Sequence, residues 1–322
     1  MSYALLKQRL DRGEILILDG ATGTELQRRG VPMDAAAWCG PATLQHHGVL
    51  ADIHLDYIRA GSDVVTANTF AASRLMLDAA GLGDKVGEVV GRAVDAALKA
   101  RKMAGAEDRV AVAGSLSHMV PVAPGTDVVD PAKVPSPLAI ADAFHEVAGH
   151  LKSCGVDHIM LEMMYNPARV PLAVAAAQVT GLPVWFGASA RRAADGRVLA
   201  FDRLEDVPFE TVARLIPNSG IDVSGVMHTG SDLIAEALMV IGEQFAGPKC
   251  AYPDSGYFAA PDWRFVDVID KDLLGNYYAD WLASGVQVIG GCCGTSLAHI
   301  EAAVTARDQF AQERNGTGRR AV

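Results

Sequence analysis

The sequence is expected to fold as a single (β/α)₈ barrel, and three observations carry that expectation. Eight short apolar runs recur along the 322 residues. Helical patterns rich in Ala, Leu and Val separate them, and side chains able to do chemistry stand where the runs end. Most of the runs are continuous rather than alternating, which is how strands buried on both faces read. No Gly-x-Gly-x-x-Gly follows a strand, so a doubly wound dinucleotide-binding sheet fits less well.

In chain order, the opening Met-Ser-Tyr-Ala-Leu-Leu-Lys-Gln-Arg-Leu lacks the apolar core of a signal peptide and reads as a short amphipathic helix. The strand-like runs cover residues 15–21, 63–70, 109–116, 158–164, 183–189, 222–228, 249–255 and 286–291. Residues 86–104, 137–153 and 231–245 carry the clearest helical patterns between them. Gly61, Gly155 and Gly285 each stand between a helical stretch and the next strand, as helix C-caps do. Residues 117–137 form a long loop with prolines at 121, 124, 131 and 135. On a compact barrel such a loop either covers the mouth or is an ordinary surface excursion. Residues 1–312 are expected to make up the barrel and residues 313–322 a flexible C-terminal tail.

Lysine and arginine total 28 against 38 aspartates and glutamates, a formal charge of −10. No long basic run precedes the last few residues, which argues against nucleic acid or an anionic membrane surface as partner. Five irregularly spaced cysteines do not make a disulfide framework and fit a reducing compartment. No apolar run of about 18 residues spans a bilayer. A cytoplasmic protein is expected.

The most informative stretch is Val286-Gln287-Val288-Ile289-Gly290-Gly291-Cys292-Cys293-Gly294-Thr295. Consecutive strand residues point to opposite faces, so two adjacent cysteines share one ligand only if the backbone leaves the strand. Gly290, Gly291 and Gly294 permit that. Two thiolates converging at a barrel mouth describe a soft-metal site, with Zn²⁺ the best fit. The strand ends also supply Asp19, Gly20, Asn68, Thr69, Glu162, His228, Asp254 and Ser255. Glu162 stands in an apolar strand end, where an unpaired carboxylate is costly. It takes either a barrel arginine or, together with Asp19, the ammonium group of an amino-acid substrate. A substrate thiol bound to zinc loses its proton near neutral pH. It then accepts a methyl group from a sulfonium or quaternary ammonium donor without a general base, so no catalytic residue beyond the metal is expected.

These residues carry a resemblance. The chain resembles the homocysteine S-methyltransferase family from about residue 15 to residue 303. The likeness rests on Asp19-Gly20-Ala21-Thr22-Gly23-Thr24-Glu25-Leu26, Tyr57-Ile58-Arg59-Ala60-Gly61-Ser62-Asp63, Thr66-Ala67-Asn68-Thr69-Phe70, Tyr252-Pro253-Asp254-Ser255-Gly256 and Gly290-Gly291-Cys292-Cys293-Gly294. It implies a zinc-bearing barrel that activates homocysteine as its thiolate and forms methionine. It also implies that Asp19, Gly20 and Glu162 help bind homocysteine. Asn68 and Thr69, in a matching motif at the second strand's end, join the expected substrate-binding set, as does Trp38.

Two departures from the family pattern stand out. Where the family places its first zinc cysteine after a Gly-hydrophobic-Asn sequence, this chain reads Gly225-Val226-Met227-His228. After Gly114-Ser115-Leu116 it continues Ser117-His118-Met119-Val120 instead of Gly-Pro with a following Glu-Tyr-x-Gly. His228 is therefore expected to replace the missing cysteine and complete a His228-Cys292-Cys293 site. In the competing account His228 only hydrogen-bonds at the rim and a residue such as His118 completes the site. Trp38, in Ala-Trp-Cys-Gly-Pro, is expected to present an aromatic face to the donor cation, with plain packing as its alternative. Two other functions stay open: demethylation of another methylated compound toward a different thiol or protein acceptor, and a degenerate ligand-binding barrel without catalysis.

Overall fold

The computed structural model describes residues 3–317 apart from residues 36, 124, 125, 127 and 260–263. All eight expected strands form in the expected order. They are β1 (Leu16–Ile17), β2 (Val64–Ala67), β3 (Ala111–Ser117), β4 (His158–Met164), β5 (Val184–Ala188), β6 (Val223–Gly230), β7 (Lys249–Asp254) and β8 (Val286–Ile289). Each bonds in parallel to its sequence neighbours from β2 round to β8. β1 closes the ring from both sides. It pairs with β8 through Leu16–Val288 and Ile17–Ile289, and a Leu18–Val64 bridge joins its end to β2. Asp63 N–H donating to Ile17 O at 2.7 Å and Asp19 N–H to Val64 O at 3.0 Å flank that bridge.

The helices follow from the sequence pattern and their caps. In Val86–Met103 the buried positions are 86, 89, 90, 93, 94, 96, 97 and 100, a 3.6-residue stripe laid on the sheet. Pro137–Cys154 starts with Pro137 in its first turn and Ser136 accepting the Ala139 N–H at 3.3 Å, a cap of about 1 kcal/mol. It ends at Gly155, φ +83°. Gly61 (φ +114°) and Gly285 (φ +95°) take the same left-handed geometry after their helices, so all three expected caps are in place. The N-terminal helix is Tyr3–Asp11.

Two antiparallel hairpins lie outside the sequence expectation: Ala190–Arg192 with Val198–Ala200, and Tyr257–Ala259 with Arg264–Val266. They follow β5 and β7 on the C-terminal side of the barrel. The last helix runs Leu297–Thr317, so residues 313–317 of the expected tail are helical, and residues 318–322 lie outside the described residues. Among the described residues no helix is long and apolar enough to cross a membrane.

Candidate active and metal site

A cavity of about 400 Å³ opens at the C-terminal ends of the strands, where barrels of this kind keep their chemistry. Asp19, Gly20, Trp38, Asn68, Glu162, His228, Cys292 and Cys293 all line it. Thr69 does not: it is buried, and its hydroxyl donates to Ser115 O at 2.7 Å. Asn68 forms part of the wall while its amide is engaged by the protein. Nδ2 donates to Cys39 O and Thr43 Oγ1, both at 3.0 Å, and Oδ1 accepts from Cys39 Sγ at 3.1 Å. Asn68 thus braces the loop that carries Trp38.

Asp19 is 2 % exposed and accepts from Thr66 N–H at 2.8 Å and Thr66 Oγ1 at 3.1 Å. Gly20 follows it because a side chain there would collide with the Tyr57 hydroxyl. Glu162 accepts from the Ser115 hydroxyl. Neither carboxylate has a lysine or arginine partner among the described residues, so the barrel-arginine account of Glu162 does not apply. Burial pushes Glu162 up to about 7, against the opposing effects of Ser115 and His228. Burial also raises Asp19 well above the usual carboxylate range, and the charge of Glu162 adds to it. Two coupled, desolvated acids facing one cavity suit a cationic guest.

The residues after Glu162 and Met227 depart from regular strand in the same way. β4 shifts register against β5 between Leu161 and Met164, and β6 shifts against β7 between Met227 and Gly230. Met163 (φ +54°) and His228 (φ +43°) lie within these irregularities in the left-handed region, which costs a non-glycine residue about 1–3 kcal/mol. Such bulges re-aim side chains at barrel rims. Here one turns the His228 ring toward the cysteines.

The cysteine turn is tied to two elements. Cys292 N–H donates to Pro253 O at 2.8 Å, and Ser255 N–H to Cys293 O at 2.9 Å. From the Thr22–Arg28 helix, Thr24 Oγ1 accepts the Gly294 N–H at 3.1 Å and Arg28 donates to Gly294 O at 2.8 Å. Only Gly294 of the three turn glycines has a positive φ, +79°. Gly290 and Gly291 are needed for room, against Leu18 and Thr295 respectively. The freedom expected of all three glycines is therefore used at one.

The His228, Cys292 and Cys293 ligand atoms all lie within 4.8 Å of one another. Cys292 Sγ stands 3.9 Å from Cys293 Sγ and 3.5 Å from His228 Nδ1. A tetrahedral zinc with S at about 2.3 Å and N at about 2.05 Å sets its ligands about 3.8 Å (S–S) and about 3.6 Å (S–N) apart. The donor set and its spacing fit zinc with one position left for substrate. Its neighbour Cys293, and then burial, raise the Cys292 thiol well above its ordinary value, a preference that a bound dication inverts. His118 stands elsewhere. It is fully buried, and its Nε2 accepts from Tyr165 N–H (3.2 Å) and Asn166 N–H (3.0 Å). Burial, with Arg169 nearby, keeps it neutral.

Trp38 (φ +48°) meets Phe70 edge-on at 6.5 Å and lies against Gly23, where a side chain would strike the indole. Phe265 and Tyr257, from the second hairpin, add aromatic wall, and Met119, Val122 and Thr126 bring the 117–137 loop to the cavity. Ser115, Tyr252 and these wall residues were not singled out in the sequence. Tyr252 had a signal, since it opens a matching motif on β7. Its hydroxyl is buried at the cavity wall with no hydrogen-bond partner among the described residues.

The chain matches the family model described as Homocysteine S-methyltransferase over residues 16–306. It is 27% identical to the Homocysteine S-methyltransferase of Escherichia coli strain K12, covering 92% of this chain and 96% of that one. It is 25% identical to the Selenocysteine methyltransferase of Astragalus bisulcatus (92% and 94%). Against Betaine–homocysteine S-methyltransferase 1 of Danio rerio it is 26% identical (92% and 73%). Among solved structures, the oxidized form of the Escherichia coli homocysteine methyltransferase MmuM superposes with a TM-score of 0.73 at 24% identity, covering 94% of this chain and 99% of that one. At that identity the superposition speaks to the fold.

Proposed function

This chain belongs to the homocysteine S-methyltransferase family, and on that premise we propose that it is a zinc-dependent enzyme making methionine from homocysteine and an onium methyl donor. The observation that carries the reading is the set of His228, Cys292 and Cys293 at zinc-ligand separations, in one cavity with the paired acids Asp19 and Glu162. When bound, zinc supplies the Lewis acidity that keeps the homocysteine sulfur a thiolate near neutral pH. Asp19 and Glu162 hold the substrate ammonium and so fix where the sulfur points. Trp38 and Phe70 face the donor cation and keep water from it. The new S–C bond forms as the methyl leaves a sulfonium or quaternary ammonium centre. The thiolate supplies the electron pair of the new bond, the pair of the breaking methyl–sulfur or methyl–nitrogen bond stays with the donor, which departs neutral, and no residue has to move a proton. The wall built by Met119, Val122 and Thr126, in the loop that departs from the family pattern, favours a second reading in which the acceptor is a related thiol rather than homocysteine.

The test is zinc content together with methionine formation over a panel of sulfonium and quaternary ammonium donors. One zinc per chain is expected, lost in His228→Ala and regained in His228→Cys. Full zinc occupancy in His228→Ala sinks the ligand assignment. A zinc-loaded protein inert with homocysteine and every donor sinks the reaction.

A further inference from the structure

We infer that Asp254 is a positioning residue for the metal site, acting through His228 rather than touching metal or substrate. The inference rests on the His228-Cys292-Cys293 reading above. Asp254 ends β7, and its two chain neighbours are bonded to the cysteine turn. The residue before it takes the Cys292 N–H on Pro253 O at 2.8 Å, and the residue after it donates to Cys293 O at 2.9 Å. Between these two bonds the Asp254 carboxylate faces the third ligand, with Oδ2 3.9 Å from His228 Nε2. The other ring nitrogen, Nδ1, is the one turned to Cys292. Both side chains are largely buried, at 14% exposure for His228 and 22% for Asp254. The edge of the Phe201 ring system closes the histidine from another side, with centroids 4.9 Å apart.

This is the arrangement of an imidazole that ligates through one nitrogen while a carboxylate orients it through the other. Such partners fix the ring and its tautomer and raise the basicity of the ligating nitrogen. Here the carboxylate has a further consequence. A thiolate in the His228 position brings a negative charge to the metal, and imidazole brings none. Asp254 returns that charge one atom shell further out, so a His-Cys-Cys site keeps an electrostatic balance near that of three cysteines. β6 makes the meeting possible, because its bulge after Met227 brings Gly230 opposite Asp254 and leaves the His228 ring between Asp254 and the cysteine turn.

The experiment is a double-mutant cycle on zinc affinity, measured by chelator competition in the full chain, with Asp254→Asn, His228→Cys and the double variant. Asp254→Asn is nearly isosteric, so the fold is expected to persist, which a thermal melt checks. Zinc affinity is expected to fall about 10–100-fold in Asp254→Asn. It should fall less than about threefold when the same change is made in His228→Cys, where no imidazole remains to be oriented. Equal loss in both backgrounds means Asp254 only braces the cysteine turn and overturns the inference. Unchanged affinity in Asp254→Asn, with tight binding by the unaltered protein, overturns it while leaving the zinc reading intact. Failure of the unaltered protein to bind zinc tightly overturns both.

Discussion

The two rims of the barrel use the same residue type in opposite ways. At the N-terminal rim Asp63 takes the Ile17 N–H at 2.9 Å and an Arg9 guanidinium at 2.8 Å. Asp157 repeats the device one strand pair on, with the Val112 N–H at 2.7 Å and Arg101 at 2.6 Å. Tyr3 completes that floor, accepting from Trp185 Nε1 at 2.8 Å and packing on the His158 ring. At the C-terminal rim Asp19 and Glu162 are sheltered too, and among the described residues neither has an arginine partner. Left-handed residues gather on this rim too, at Trp38, Met163 and His228. One rim satisfies its charges internally and locks the strands. The other keeps charge and strain for a guest, which is the usual division of labour in this architecture.

The largest effect should come from the proposed metal ligands. Cys292→Ser is expected to lower kcat/KM by about 10³-fold or more while the urea midpoint of the metal-free protein stays nearly unchanged. An unfolded variant, or one with near-normal rate, breaks the claim that this rim is built for chemistry.

Glu162→Gln sharpens the contrast because its effects on binding and stability are opposed. The homocysteine KM is expected to rise about 10–100-fold, the worth of a charge-assisted hydrogen bond. Stability should move the other way. Burial holds the folded Glu162 at about 7, above its unfolded value, so the protonated form is the one the fold prefers. Its stabilising share is complete below the ordinary carboxylate value and is lost as pH climbs to about 7. The variant should therefore match the parent near pH 4.5 and exceed it at pH 8, by up to about 3 kcal/mol, as urea titrations at the two pH values would read. A variant less stable than its parent at pH 8 contradicts the reserve of unpaired charge.

Asp63→Asn probes the opposite rim. Leaving Arg9 with Glu14 (2.9 Å) alone should cost about 2 kcal/mol of stability, the worth of a hydrogen bond to a charged group, with kcat/KM per folded molecule unchanged at low temperature. A specific loss of activity would erase the distinction between the rims. The smallest effect is expected from Trp38→Ala: a donor KM raised about 2–30-fold with the homocysteine KM within twofold. Equal losses for both substrates return Trp38 to a packing role.

What the sequence showed of this site was whatever is local along the chain. Continuous apolar runs betray doubly buried strands, and Asp19, Glu162, Cys292 and Cys293 are read directly from where those runs stop. Partners distant in sequence stayed hidden. Asn68 looks like a free strand-end amide until Thr43 and Cys39, some 25 to 29 residues earlier, are seen to claim it. Thr69 likewise turns to Ser115 across a strand boundary. The left-handed turns at Trp38 and His228 had no glycine to announce them. Their cost is met by tertiary packing, which no local pattern records.

The closure of the ring also sets when the site comes into being during synthesis. β1 is made before the other strands of the barrel, yet its partner in the ring is β8, some 270 residues later. The Gly291 N–H that holds Asp19 O at 3.1 Å arrives with that last strand. Contacts of such long range form late, and at a ribosomal pace of about 5–20 residues per second the wait is tens of seconds. Asp19 and the cysteine pair, proposed here as substrate acid and metal ligands, are thus set in place by one docking event, that of β8. A nascent chain short of Ile289 has neither in place, so the proposed metal loading belongs to the closed barrel.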